Sequence, residues 1–203
     1  ETHIINSNHT FFKEIDNLSF LAKNLYNKAN YIVRQKFIET TKLKDLNLVE
    51  YATYLNYYDI NRLLIDNNDY DYYMLPTRVA NQVLMDLDKN WKSFFKSIKD
   101  WGKNKHKYKG KPNLPKYKHK VKGRFCVKYD SSAISKTMLL KEGKIKLSKT
   151  NIVVPFINHK RGILKQISIT TTNTNVYKIN IIYEVEVKNL NLSKENIISI
   201  DLG

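Results

Sequence analysis

Between Trp101 and Lys120 the chain reads WGKNKHKYKGKPNLPKYKHK, with lysines alternating with tyrosines and histidines. Ammonium groups at this spacing attract phosphates, and the interleaved aromatic faces can stack on unpaired bases or ribose. Gly110, Pro112 and Pro115 forbid a regular helix, so the lysines are expected on an extended, adaptable loop. The candidate phosphate contacts are Lys103, Lys105, Lys107, Lys109, Lys111, Lys116, Lys118, Lys120, Lys122 and Arg124. Tyr108 and Tyr117 are the candidate stacking partners. Arg78, Lys92, Lys96 and Lys99 lie upstream and add a few placed cations. A solvated, partly disordered linker would show a similar composition. The concentration of charge together with aromatics favours nucleic-acid contact. The pattern specifies a polyanion without saying which one.

Acid–base and metal chemistry have fewer candidates. Glu184 and Glu186 alternate with Tyr183, Val185 and Val187, so their side chains share a face of a strand. A paired-carboxylate site is conceivable there, but a solvent-facing strand edge is the plainer reading. Asp201 ends the apolar run Ile197-Ile198-Ser199-Ile200 and precedes Leu202-Gly203. A carboxylate leaving a buried strand can hold Mg²⁺ in a two-metal phosphoryl-transfer site, given at least two further carboxylates. Actin-like ATPases and sugar kinases carry a similar strand. The five histidines show no metal-ligand spacing, and six glycines form no phosphate loop. Cys126 reads as a small core residue, not a nucleophile.

The whole chain of 203 residues carries a net charge of +16, unevenly distributed. Residues 1–100 hold 13 basic and 13 acidic residues, whereas residues 101–129 hold 11 basic and none acidic. A charge used only for solubility should be diffuse, so this concentration points to a polyanion partner. A hydrophobic share of 42% and an aromatic share of 12% exclude a disordered basic tail. One cysteine excludes a disulfide framework and a thiolate zinc site within this segment. The longest apolar run, Ile152 to Ile157, is too short to span a membrane, and no secretion signal is visible. Glu1 in place of a starting Met implies a processed start or a piece of a longer protein.

The elements that must position these residues follow from periodicity. A short leading strand is expected around His3, Ile4 and Ile5. Apolar residues at helical spacing from Thr10 to about Thr41 predict an amphipathic helix. Residues 45–65 read as one or two shorter helices, and 66–71 as a loop. Thr77 can cap a helix from Arg78 to Trp101, with Gly102 as its stop. Its stripe Ala80, Leu84, Leu87, Trp91, Phe94, Ile98 and Trp101 reads as a core-facing seam. Beyond Lys120 the period falls to two. Arg124–Tyr129 alternates, a hairpin is expected near Gly143, and residues 152–156 form a short strand. Residues 163–172 and 176–187 form a further pair, which together suggests a small antiparallel barrel or sandwich.

Taken in order, these segments resemble the N-terminal half of the TnpB (OrfB) family of transposon-encoded RNA-guided nucleases, relatives of the compact type V CRISPR effectors. The resemblance rests on Tyr26-Asn27-Lys28-Ala29, on LPTRVANQVLMDLDKNWKSFF from Leu75 to Phe95, and on GKPNLPKYK from Gly110 to Lys118. It extends to the pairing of Ile167-Ser168-Ile169 with Tyr183-Glu184-Val185, and to Ile200-Asp201-Leu202-Gly203. Ser199 stands where a glycine is usual in the family, and Leu114-Pro115-Lys116-Tyr117 replaces its usual Phe-Pro-Arg-Phe.

The resemblance implies an α+β architecture: a helical recognition domain inserted into a small antiparallel β-barrel (wedge) domain, ending at the first strand of a RuvC/RNase H-like nuclease domain. The expected divisions are 1–9 for the first wedge strand, 10–102 for the recognition helices and 103–122 for the basic arm. They continue with 123–190 for the wedge barrel and 191–203 for a linker and the first nuclease strand. Asp201 then falls on the first catalytic, Mg²⁺-binding aspartate. The other nuclease carboxylates and a four-cysteine zinc ribbon would lie beyond Gly203, in a nuclease domain supplied in cis. Magnesium is expected for the full nuclease, and neither cofactor nor cutting for this chain alone. Guide RNA and target DNA are the implied partners, in the bacterial cytoplasm with the nucleoid. The alternative is a stand-alone DNA-binding repressor or transposition accessory protein without nuclease activity.

Overall fold

The computed structural model describes residues 1–158, 160, 162–172 and 176–186. Strand β1 (Thr2–Ile5) leads into helix α1 (Phe12–Asp45), which is 34 residues long. A capping box between Asn56 and Asp59 starts helix α2 (Tyr57–Asp66). Residues 46–56 form no regular element, so the 45–65 segment holds one helix. The acidic loop expected at 66–71 is interrupted. The Asp69 carboxylate accepts from the Tyr72 N–H and caps a single turn, α3 (Tyr70–Tyr73).

Helix α4 (Thr77–Lys103) begins one residue earlier than expected. Pro76, which has no N–H to satisfy, holds the capping position, and its carbonyl accepts from the Ala80 N–H. Gly102 lies inside the helix. The stop is at Asn104, whose backbone N–H and side-chain amide both donate to Asp100. Ala80, Leu84, Leu87 and Trp91 are buried, whereas Phe94, Ile98 and Trp101 are only partly covered. The apolar stripe therefore leaves the core beyond Trp91. The pairs Tyr26–Asn90, Asn30–Trp91 and Phe37–Phe95 show that α1 and α4 run in the same general sense.

Strands β2 (Val127–Asp130), β5 (Gly162–Thr171) and β6 (Tyr177–Val185) join β1 in an antiparallel sheet of order β1-β6-β5-β2. Ile179, Ile169 and Val127 lie in one cross-strand row, and Ile181, Ile167 and Tyr129 in the next, all buried on one face. Asn180, Ser168 and Lys128 line the opposite face. A bulge at Lys165 shifts the register so that Leu164 rejoins the buried face. The start of α1 packs on the buried side, where Phe12 meets the Tyr177 ring. Lys128 ties the β2 edge to Asp86 of α4 at 2.6 Å.

Among the described residues the sheet is not closed into a barrel. Four strands are too few to curl onto themselves around a packed interior, and β1 and β2 remain at opposite edges. Strands β3 (Lys144–Lys146) and β4 (Val153–Pro155) form a separate two-stranded sheet. The hairpin expected across Gly143 is replaced by a helix-to-strand junction. Ser135 caps α5 (Lys136–Glu142), and Gly143 ends it at φ 62°, a conformation that suits a helix stop as well as a tight hairpin. No described helix is long and apolar enough to cross a membrane.

Candidate nucleic-acid interface

The polar face of α1 carries Asp16, Ser19, Lys23, Asn27, Asn30 and Arg34 at steps of three and four, one stripe along the helix. Each of these residues binds the segment after Pro112. Arg34 Nη2 and Asn30 Nδ2 both donate to the Pro115 carbonyl, at 2.6 and 2.9 Å. Asn27 makes a reciprocal pair with the Lys118 N–H and C=O, both at 2.8 Å. Lys23 Nζ donates to the Lys120 carbonyl at 2.6 Å, and the Phe125 N–H donates to the Ser19 carbonyl at 3.0 Å. Arg124 makes a two-pronged ion pair with Asp16, both bonds at 2.8 Å. An irregular segment thereby obtains, from helix side chains and one helix carbonyl, the partners a strand would obtain from its neighbour. It runs antiparallel to α1 as a strap, where the sequence suggested an adaptable loop.

The strap has its own stops. Asp100 accepts from the Tyr108 hydroxyl at 2.7 Å and, held by that bond first, titrates below the usual carboxylate range. His119 Nδ1 accepts from the N–H groups of Val121 and Lys122, and the Gly123 N–H returns to the His119 carbonyl. A Cβ at Gly123 would lie 2.4 Å from that carbonyl oxygen, so this turn closes only with glycine.

Fixing the strap's backbone leaves its cations outside. Lys103, Lys105, Lys107, Lys109 and Lys111 on the approach to the strap and Lys116, Lys118, Lys120 and Lys122 on it are all exposed, and among the described residues none forms an ion pair. Lys105 lies over the Trp101 ring, and Lys118 lies near the stacked rings of Tyr26 and Phe125. Lys96 and Lys99 are exposed on the last turns of α4, next to the strap's start. Arg78 is exposed at the other end of the same helix, about 30 Å away along its axis. Lys92 is paired with Asp88 at 2.6 Å. Arg124 is committed to Asp16 and to the carbonyls of Val121 and Gly123, so its role is to close the strap. Of the two tyrosines, Tyr108 is held by its hydroxyl. Tyr117 is exposed but carries the Arg34 guanidinium 4.6 Å from its ring centre.

Sequence reasoning did not single out the stripe on α1. The available signal was Asn27 and Asn30 in the middle of a long helix, where asparagine propagates the helix poorly unless its amide has a partner elsewhere. Lys23 is the other sign. It is 2% exposed, lies 3.8 Å from the Phe20 ring centre, and burial pulls its pKa below the ordinary lysine value.

The remaining candidates separate cleanly. Glu184 is exposed and paired with Lys165 at 2.5 Å, and Glu186 is exposed beyond the end of β6. Cys126 is half-buried, and burial pushes its thiol up, away from thiolate reactivity. Asp201 lies outside the described residues. Among the described residues no group of three or more His, Cys, Asp or Glu could hold a metal ion. A hollow of about 580 Å³ between α5 and the start of β5 shares no residue with the strap. No model of a known protein family matches the chain, and none of the curated proteins matches it.

Proposed function

We propose that the protein binds nucleic acid along the strap, as the RNA- and DNA-contacting N-terminal part of a TnpB-like RNA-guided DNA endonuclease. In that role it holds guide RNA and the short duplex motif beside the target, while base pairing reads the rest. The reading also places the protein with the nucleoid in a bacterial cytoplasm. The helices between β1 and β2 would be the recognition part and the sheet the wedge. Cutting belongs to residues outside those described, and magnesium with them.

One observation carries the reading. Lys116, Lys118, Lys120 and Lys122 are exposed, form no ion pair among the described residues, and stand on a backbone that α1 already holds in place, with five more exposed lysines on the approach to it. Ordering cost is then met on folding instead of on binding, and the unpaired ammonium groups are available to displace counterions from phosphates.

The test is a binding series with a transposon-end RNA and with a short duplex. If about six lysines contact duplex phosphates, affinity falls roughly 10³-fold between about 50 and 200 mM salt. Changing Lys116, Lys118, Lys120 and Lys122 to Gln lowers the slope of log affinity against log salt by roughly three to four. A flat salt response overturns the proposal.

A further inference from the structure

The strap bridges the groove between α1 and α4 over residues 112–116, with a cleft on either side. The larger cleft measures about 880 Å³ and lies where the apolar stripe of α4 leaves the core. Phe37 of α1 and Phe94 and Phe95 of α4 form its wall, their ring centres 5.2 to 6.5 Å apart. These three rings are only partly covered. Arg34, Lys111 and Lys116 also line the cleft, and among the described residues no carboxylate does.

Arg34 is the telling residue. Its Nη2 donates to the Pro115 carbonyl and its guanidinium carbon lies 4.6 Å from the Tyr117 ring centre, while its Nε is buried with no hydrogen-bond partner among the described residues. Among the described residues no carboxylate pairs with its charge. A guanidinium charge with no carboxylate beside it, at the mouth of a cleft that also carries two ammonium groups, favours an anion there. An anion beside an aromatic wall is the chemistry of a nucleotide: a phosphate takes the guanidinium fork and the ammonium groups, and a base takes the ring faces. The cleft falls within the range of small-ligand pockets and is far too small for a duplex, so the base must be unpaired.

We propose that this cleft holds one unpaired nucleotide of a single strand, with its base against Phe94 and Phe37 and its phosphate between Arg34, Lys111 and Lys116. This rests on the nucleic-acid reading above and adds a single-strand site to it. Phe94 lines both clefts, so its substitution is the most direct probe.

The experiment compares the full 203-residue chain with Phe94→Leu, which keeps an apolar side chain in place. Probes are a 12-nucleotide oligo(U), its deoxy counterpart and a blunt 12-base-pair duplex. The variant is expected to lose about tenfold in affinity for the single strands and less than twofold for the duplex. Thermal melting of both proteins establishes that the variant is folded. Independently, an oligo(U) with a single 5-iodouridine should photo-crosslink to Phe37, Phe94, Phe95 or Tyr117 in the wild-type chain. If single strands bind but Phe94→Leu changes nothing and crosslinks fall elsewhere, the cleft proposal fails and nucleic-acid binding stands. If neither single strands nor duplex bind, both fail.

Discussion

Asp16 shows how much one carboxylate can organise. It accepts two bonds from Arg124 and a third from the Tyr177 hydroxyl at 2.6 Å, joining α1, the strap and β6. The Arg124 bonds, followed by the Tyr177 hydroxyl, hold its carboxyl below the usual carboxylate range. Tyr177 is displaced the other way, pushed up to about 12 by burial and then by its bond to Asp16. The signs set the pH windows. A depressed carboxylate stabilises the fold above its unfolded value of about 4, and that contribution is lost as pH falls through the lower folded value. A raised phenol stabilises the fold below about 10 and loses its contribution between about 10 and 12. Asp16→Asn is therefore expected to cost about 1–3 kcal/mol at pH 7. In urea titrations at pH 7, 4 and 3 the gap between wild type and variant should close on the acid side. A gap of constant size would remove the ionised carboxylate from the account.

At the scale of elements, the strap on α1 divides what can be read from sequence from what cannot. The apolar periodicity of α1, α4 and the β5–β6 pair is local, and all four elements appear in the sequence within a few residues. The charge on the strap is equally visible. What holds the strap is not, because each bond joins residues about 80 to 110 positions apart and each is made by an ordinary polar side chain. Gly143 misleads for a different reason: a left-handed glycine ends a helix and turns a hairpin with the same local chemistry. The assembly of Arg34, Phe37 and Phe94 needs both the helix pairing and the strap, so composition alone does not reveal it. The strap's dependence on α1 has a direct consequence for proteolysis. Asn27→Ala removes both bonds to Lys118, about 1–2 kcal/mol of local hold, and local opening governs cleavage of a protected segment. Trypsin should cut after Lys116, Lys118 or Lys120 about fivefold or more faster in the variant, with cleavage after Lys42 and Lys44 unchanged. Equal rates in both proteins would mean that the strap is held by something other than this pair.

For the molecule as a whole, the concentration of charge sets two opposed responses to salt. Of the net +16, eleven charges fall within residues 101–129, and the fold leaves nine lysines of that stretch exposed, four on the strap and five on the approach to it. Their mutual repulsion destabilises the compact state, most strongly when the screening length exceeds the spacing between them. Salt relieves that repulsion, so the free protein should melt a few degrees higher at about 200 mM than at about 50 mM. Binding to a phosphate backbone responds in the opposite direction, because added salt removes the gain from counterion release. At low salt a bound oligonucleotide should raise the melting temperature further, since it stabilises only the folded chain. The two curves, thermal midpoint rising and affinity falling across one salt series, belong together. If the midpoint fell with the affinity, the lost binding would report an unfolding protein and not phosphates released from the strap.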